Sequence, residues 1–358
     1  KIIEIYELFG YNNFEKFIKG GYFMKKIGFI ILVMVGFIIS PIINAPETVN
    51  AQKNSNNAYD MINSKGEVIK YEDYIKKLKN SKSLVTEGSE GTGEVLPKTE
   101  INTDFKKNKP YKYNLTPETT YIGGKSPNEY FPQVVIGADG RTKVSNTSVT
   151  PHRQIAYIEL EFRDGWYTCT GTVIGKDKVL TNAHCVMDVT NQSGAINGYV
   201  YPAVNNNTYS YGVYQIVDYY ITSNYVQTGD PTQDFAVLKL STYLGKNIGD
   251  VVGYLPLRQV SSIQGTSAKL YGYPGDKIEQ YNEVSQWGMT GSISKETNEL
   301  AFYQIDTYNG QSGSSLLNSS NEIIAVHRGS FSVNGTTYNG GPKMIKPVYD
   351  FIRAAMLN

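Results

Sequence analysis

From Val134 to its end the chain is a succession of short apolar or alternating runs, each closed by Gly, Asn, Asp or Pro. Clear instances are 154–162 (QIAYIELEF), 167–174, 178–181, 235–240, 268–273, 300–305 and 322–326. Runs this short, punctuated by turn residues, read as strands, and many of them in succession build a sandwich or a barrel. One stretch breaks the pattern: 347–357 has Pro in its first turn and spaces Val348, Phe351, Ile352 and Ala355 as a helix does. The chain can fill such a core, since 40% of its 358 residues are hydrophobic and 29 are Tyr. Its charge argues against polyanionic partners: 34 Lys+Arg face 33 Asp+Glu overall, and 16 face 18 from 134 to 358. Neither nucleic acid nor an anionic membrane is an expected partner.

The N-terminal third has another character. Met24-Lys25-Lys26, the apolar run 27–40 (IGFIILVMVGFIIS) and the small residues around Ala51 have the layout of a secretory signal. At about 14 residues the run falls short of the ~20 that a spanning helix needs, so export rather than a retained anchor is expected over 24–51. Residues 1–23 precede that start. Lys19-Gly20-Gly21 can be encoded with an AAGGAGG ribosome-binding stretch ahead of the Met24 codon, so 1–23 reads as a translated leader. From 52 to 133 the chain is polar, with one helical candidate at 71–78, and is expected to be weakly structured. A propeptide and a plain linker both fit that composition.

Three boxes carry chemistry. In the first, a strand ends in Thr181-Asn182-Ala183-His184-Cys185, which fixes an imidazole at a strand terminus. Two Cys allow one bridge, two thiols or a redox pair. In an exported chain Cys169 and Cys185 are expected to be oxidised, closing a loop worth ~3 kcal/mol in the chain-entropy account and holding the His loop to its neighbour. A metal held by that pair lacks further ligands nearby. The second box, Asp234-Phe-Ala-Val-Leu-Lys-Leu, starts an apolar strand with a carboxylate able to orient an imidazole; Asp230 competes but lies in a Gly-Asp-Pro turn. The third, 306–314 (DTYNGQSGS), flanks Ser312 with glycines, so that the amides of Gly310 and Ser312 can point together at an oxyanion. A Ser hydroxyl becomes a nucleophile only when a base takes its proton, and the base needs an acid to orient it. His184, Asp234 and Ser312 are those candidates; only three His occur in the whole chain.

The TNAHC box, the later Asp-Phe-Ala-Val and the Gly-x-Ser-Gly-Ser box resemble the chymotrypsin-fold serine proteases, which implies two antiparallel six-stranded β-barrels with the triad between them. Gly272-Tyr-Pro-Gly-Asp-Lys277, the 306–314 box and Ala325-Val-His327 are further similar to the bacterial glutamyl endopeptidases, secreted enzymes that cut after Glu and less readily after Asp. The resemblance covers 134–358. It implies His184 as general base, Asp234 as its orienting acid, Ser312 as nucleophile, and the Gly310 and Ser312 amides as oxyanion hole. It also implies Thr307 and His327 as contacts for the substrate carboxylate, with the imidazole able to add positive charge. By the same resemblance the mature chain starts at Val134, whose new α-amino group lies near the pocket; cutting Gln133–Val134 would thus switch on activity. A thermolysin-like activator, or self-cleavage after Glu129 followed by trimming, could make that cut.

Ser315 stands where Pro is common, Arg328 is read either as a cationic subsite or as a solvent-facing side chain, and His152 is given no role. Expected partners are protein and peptide substrates with Glu at the cut, the chain's own propeptide in cis and an activating protease. A monomer without metal or cofactor is expected, there being no loop with calcium-ligand spacing. Two other readings remain on the residues alone: a protease of narrow, toxin-like specificity, which intact Thr307 and His327 argue against, and an inactive binding module, whose mark would be a lost triad member.

Overall fold

The computed structural model describes residues 57–81, 87–97, 109–110 and 134–358. The expected signal and leader segments, 1–51, lie outside the described residues.

Six strands close the first barrel, in the order Asn197–Pro202, Ile155–Phe162, Gly165–Val173, Lys178–Thr181, Ala236–Leu240, Tyr214–Thr222 and back to the start. Closure leaves few free edges and buries one face of every strand. Ala156, Ile158, Leu160, Val179, Val200, Ala236 and Leu238 fill that interior. The second sheet runs Ile323–Val326, Ser315–Leu317, Ser267–Gly272, Trp287–Glu296, Leu300–Tyr303, Thr336–Pro342, Gly329–Val333. It curls without full closure, and a bridge between Ala325 and Lys343 draws its ends together. The expected two-barrel, all-β architecture is thus present, with the second barrel only half closed. The helix expected at 347–357 is Lys346–Met356, and its Phe351 packs edge-on against Phe235 at 5.3 Å, behind the strand that follows Asp234.

Strands with continuous apolar runs fall where the sequence predicts them. Tyr214–Thr222 and Trp287–Glu296 are less visible, because Tyr, Asp and Thr break up the aliphatics of the first and Gly, Ser and Thr dominate the second.

Within 52–133 the helix expected at 71–78 is present, and the described parts are more firmly structured than the composition suggests. Met61–Asn63 and Val68–Ile69 form a hairpin whose first strand pairs with Tyr220–Ile221–Thr222, and the helix Tyr71–Asn80 buries Tyr74 and Leu78. Met61 and Ile62 are wholly buried. The composition conceals this because the few apolar residues here complete cores built by distant strands and make none of their own.

Candidate active site

The turn after Lys178–Thr181 runs into the one-turn helix Ala183–Val186, which places His184 at the barrel rim. Cys169 and Cys185 are joined, tying that turn to the Gly165–Val173 strand. Asp234 arrives from the other side of the rim. Its Oδ1 accepts the His184 amide at 2.9 Å, its Oδ2 faces His184 Nδ1 at 2.7 Å, and its backbone oxygen accepts Asn182 Nδ2 at 2.6 Å. Three contacts from one short turn leave the imidazole a single orientation. Asp230, the competing acid, caps its own turn by accepting the Thr232 amide and hydroxyl.

Arg328 matches neither of its expected readings. It is neither a subsite cation nor solvent-facing; its side chain is buried and its Nε lies 3.1 Å from Asp234 Oδ2, the same oxygen that faces His184. Burial pushes the Asp234 carboxyl upward, but His184 and then Arg328 outweigh it and hold the group below the ordinary carboxylate range. A carboxylate taken wholly out of water needs such compensation.

Ser312 stands in a turn that only glycine geometry allows. Gly310 has φ +100° and Gly313 φ +84°, conformations that L side chains rarely adopt. A Cβ on Gly313 would fall 2.1 Å from Thr181 Oγ1 and 3.0 Å from the Asn182 amide nitrogen, so the Ser312 turn packs directly onto the His184 turn. Thr170 stitches the two barrels together here: its amide donates to Ser312 O at 2.8 Å and its hydroxyl to Gly310 O at 2.8 Å. The amides of Gln311, Gly313 and Ser314 are spent inside the fold, on Tyr308 O, His327 O and Gln311 O.

Beside the turn, Thr307 and His327 are both fully buried. The Thr307 hydroxyl has no hydrogen-bond partner among the described residues. His327 Nδ1 lies 2.6 Å from the Tyr303 hydroxyl. Burial, assisted by the neighbouring His184, pulls His327 down from 6.5 to about 3 against the opposing effect of Asp234. The imidazole expected to be able to add positive charge is thus held neutral near pH 7 in the free protein, because burial disfavours its charged form. The sign of the linkage follows. Between about 3 and 6.5 the unfolded chain binds the proton and the folded one does not, so stability is lost as pH falls through that window. Thermal melts at pH 7 and pH 4.5 should show a smaller loss for His327→Gln than for the parent; equal losses would remove His327 as the cause.

Val134 lies against Asn339 and the Thr307 amide. Its amide donates to Asn339 Oδ1 at 3.3 Å and its oxygen accepts Asn339 Nδ2 at 2.8 Å and the Thr307 amide at 3.4 Å. Asp306 receives the amides of Ile136 and Gly140, at 2.7 and 2.8 Å. Arg141 pairs with Asp139 and Asp276, and reaches Gln311 Oε1 at 3.5 Å. Sequence reasoning missed Asn339, Tyr303 and Arg141. Asn339 is opposite Tyr303 in the register of two strands, a placement that no local pattern announces. His152 holds Gln286 at 2.8 Å and stacks edge-on against Tyr271, a packing role.

A serine on a glycine-shaped turn, and that turn packed onto the one bearing an imidazole that a buried carboxylate holds in place, supply the groups for drawing off a proton, and on two antiparallel β-barrel sheets they define the class of chymotrypsin-fold serine endopeptidases. Comparison with known proteins places the chain there. The family described as Trypsin matches residues 143–354, more than half of the sequence, and the chain belongs to that family. It is 34% identical over 249 residues to a glutamyl endopeptidase of Bacillus licheniformis, covering 67% of this chain and 74% of the relative. It is 29% identical over 229 residues to a Bacillus subtilis protein named Extracellular metalloprotease, covering 62% and 69%. A solved Glu endopeptidase in complex with MPD superposes with a TM-score of 0.58 at 44% identity, over 63% of this chain and all of that one. The protein is a serine endopeptidase related to the glutamyl endopeptidases. The metal in the B. subtilis relative's name has no matching donor set here: among the described residues the compact group is Cys169, His184 and Cys185, and its two sulfurs are bonded to each other.

Proposed function

We propose that the protein is an exported endopeptidase that hydrolyses peptide bonds after Glu, and less readily after Asp, through His184, Asp234 and Ser312. The observation that carries the specificity is the buried Thr307 hydroxyl, without a hydrogen-bond partner among the described residues, in the stretch that bears Ser312, with the buried His327 bonded to that stretch through the Gly313 amide. A buried hydroxyl without a partner costs about 1–3 kcal/mol, which a ligand carboxylate would recover. Two donors and the Val134 terminus supply what a glutamate side chain loses on leaving water. The B. licheniformis relative, named for glutamyl cleavage, supports the same reading.

In this reading His184 Nε2 takes the Ser312 proton as Oγ attacks the scissile carbonyl, and Asp234 Oδ2 stabilises the imidazolium that forms. The oxyanion collects on the Gly310 and Ser312 amides. The amine leaves with the proton from His184, and water then attacks the acyl-enzyme with His184 again as base. Residues 52–133 act as a propeptide removed by cutting before Val134. The cut frees an α-amine of ordinary pKa about 8 against Asn339 and Thr307, adding positive charge that the intact chain lacks there. Precursor and mature enzyme thus differ in pocket charge.

The test is to digest a denatured protein of known sequence with the activated enzyme and to read the cut sites by mass spectrometry. Cuts clustered after Glu are expected. Cuts clustered after another residue type would discard the pocket assignment and leave the triad standing.

A further inference from the structure

The described parts of the 52–133 stretch do not rest loosely on the body; they finish its construction. The Tyr214–Thr222 strand pairs with Asn197–Pro202 only near its start, at Tyr214 and Gln215. Beyond that point its outer edge, Tyr220 to Thr222, is occupied by Met61–Asn63 in register Met61↔Thr222, Ile62↔Ile221 and Asn63↔Tyr220. Ile62 enters the interior of the first barrel, while Met61, Tyr74 and Leu78 join the cluster formed by Phe235, Phe351 and Ile352.

Polar groups are matched as closely. The fully buried Asp60 accepts Lys70 Nζ at 2.9 Å and the Tyr71 amide at 2.8 Å, and its backbone oxygen accepts the Ser223 amide at 2.8 Å. Ser64 donates its amide and hydroxyl to Asp218 Oδ1, at 3.1 and 2.6 Å. The second stretch is held by backbone bonds in both directions between Ser89 and Tyr254, by Gly93 to Val251 O at 2.8 Å, and by Leu96, which is buried in the first barrel's core.

We infer that 57–81 and 87–97 remain on the body as a second, non-covalent chain after the cut before Val134, supplying an outer strand to the first barrel. The inference rests on the propeptide reading above. Release would expose an unpaired strand edge, open the space that Ile62 fills in the core and remove the two Ser64 donors from Asp218, so the folded body binds the segment by the means that made it fold. The segment also braces the site. Asp60 O holds Ser223, the preceding Thr222 donates its hydroxyl to Gln233 Oε1 at 2.6 Å, and Asp234 is the next residue. The retained chain is therefore a supporting subunit rather than a plug.

The experiment uses the Ser312→Ala precursor, with a specific protease site placed before Val134 so that neither self-digestion nor the natural activator enters. After the cut, denaturing mass spectrometry reads where the chain opened, and size exclusion with native mass spectrometry reads whether the pieces stay together. A one-to-one complex that persists at micromolar concentration is expected. Ile62→Asp should weaken retention at least 100-fold. Because that change can block folding of the precursor, Ser64→Ala is measured in parallel, with about a 10-fold weakening expected from loss of the hydroxyl bond to Asp218. A parent segment that separates from a folded 134–358 body overturns the inference. Separately, a natural enzyme whose N-terminus is not Val134 refutes the propeptide cut and leaves the retention result standing on its own.

Discussion

Ser312→Ala is expected to lower kcat on a peptide with Glu at the cut by about a million-fold while leaving the protein folded, a loss of roughly 8 kcal/mol of transition-state stabilisation. The size follows from the way the three groups depend on each other. Asp234 makes three contacts to one turn and His184 is held in one orientation, so with the hydroxyl gone the remaining groups have no proton to move. The substitution removes one oxygen from a turn whose shape is set by Gly310, Gly313 and the Thr170 bonds, so unfolding should stay at the parent temperature. Assay of the mutant after removal of contaminating protease decides the matter: turnover within a hundred-fold of the parent would reject Ser312 as nucleophile.

His327→Ala is expected to reduce kcat/KM after Glu by roughly 150-fold, about 3 kcal/mol, the worth of a hydrogen bond to a charged group in a dry pocket. Cleavage after Gln should change by less than about fivefold, because a neutral amide gains little from the imidazole's capacity to carry charge. Burial favours the neutral ring in the free protein, and in the proposed pocket an arriving carboxylate would favour its proton, so the imidazole would respond to the group it is proposed to recognise. Tyr303 at 2.6 Å steadies the ring from behind. The paired measurement on Glu and Gln substrates separates pocket from scaffold: equal losses on both would mean that the His327 ring only supports the fold, through its contact with the Tyr303 hydroxyl.

Arg328 shows how a single buried contact changes the reading of a residue. By position it follows the pocket imidazole and could have faced substrate, yet the strand turns it inward to Asp234. The guanidinium offsets the cost of burying the carboxylate, and it shares with His184 the Oδ2 oxygen that stabilises the imidazolium in the proposed mechanism.

The all-β character, the C-terminal helix, the linked Cys169 and Cys185, and the residue types and order of His184, Asp234 and Ser312 were legible in the sequence alone. Each is written in a short stretch: period-two runs, a Pro-led helical spacing, glycines around a serine, a carboxylate at a strand start. Tertiary structure alone decided that the second sheet stays half open, that Asn339 clasps Val134, that burial favours the neutral form of His327, that Arg328 sits on Asp234, and that Met61–Asn63 pairs with Tyr220–Thr222, more than 150 residues along the chain. These depend on strand register and on which groups leave water together, quantities set by pairing across the whole chain rather than by neighbours along it.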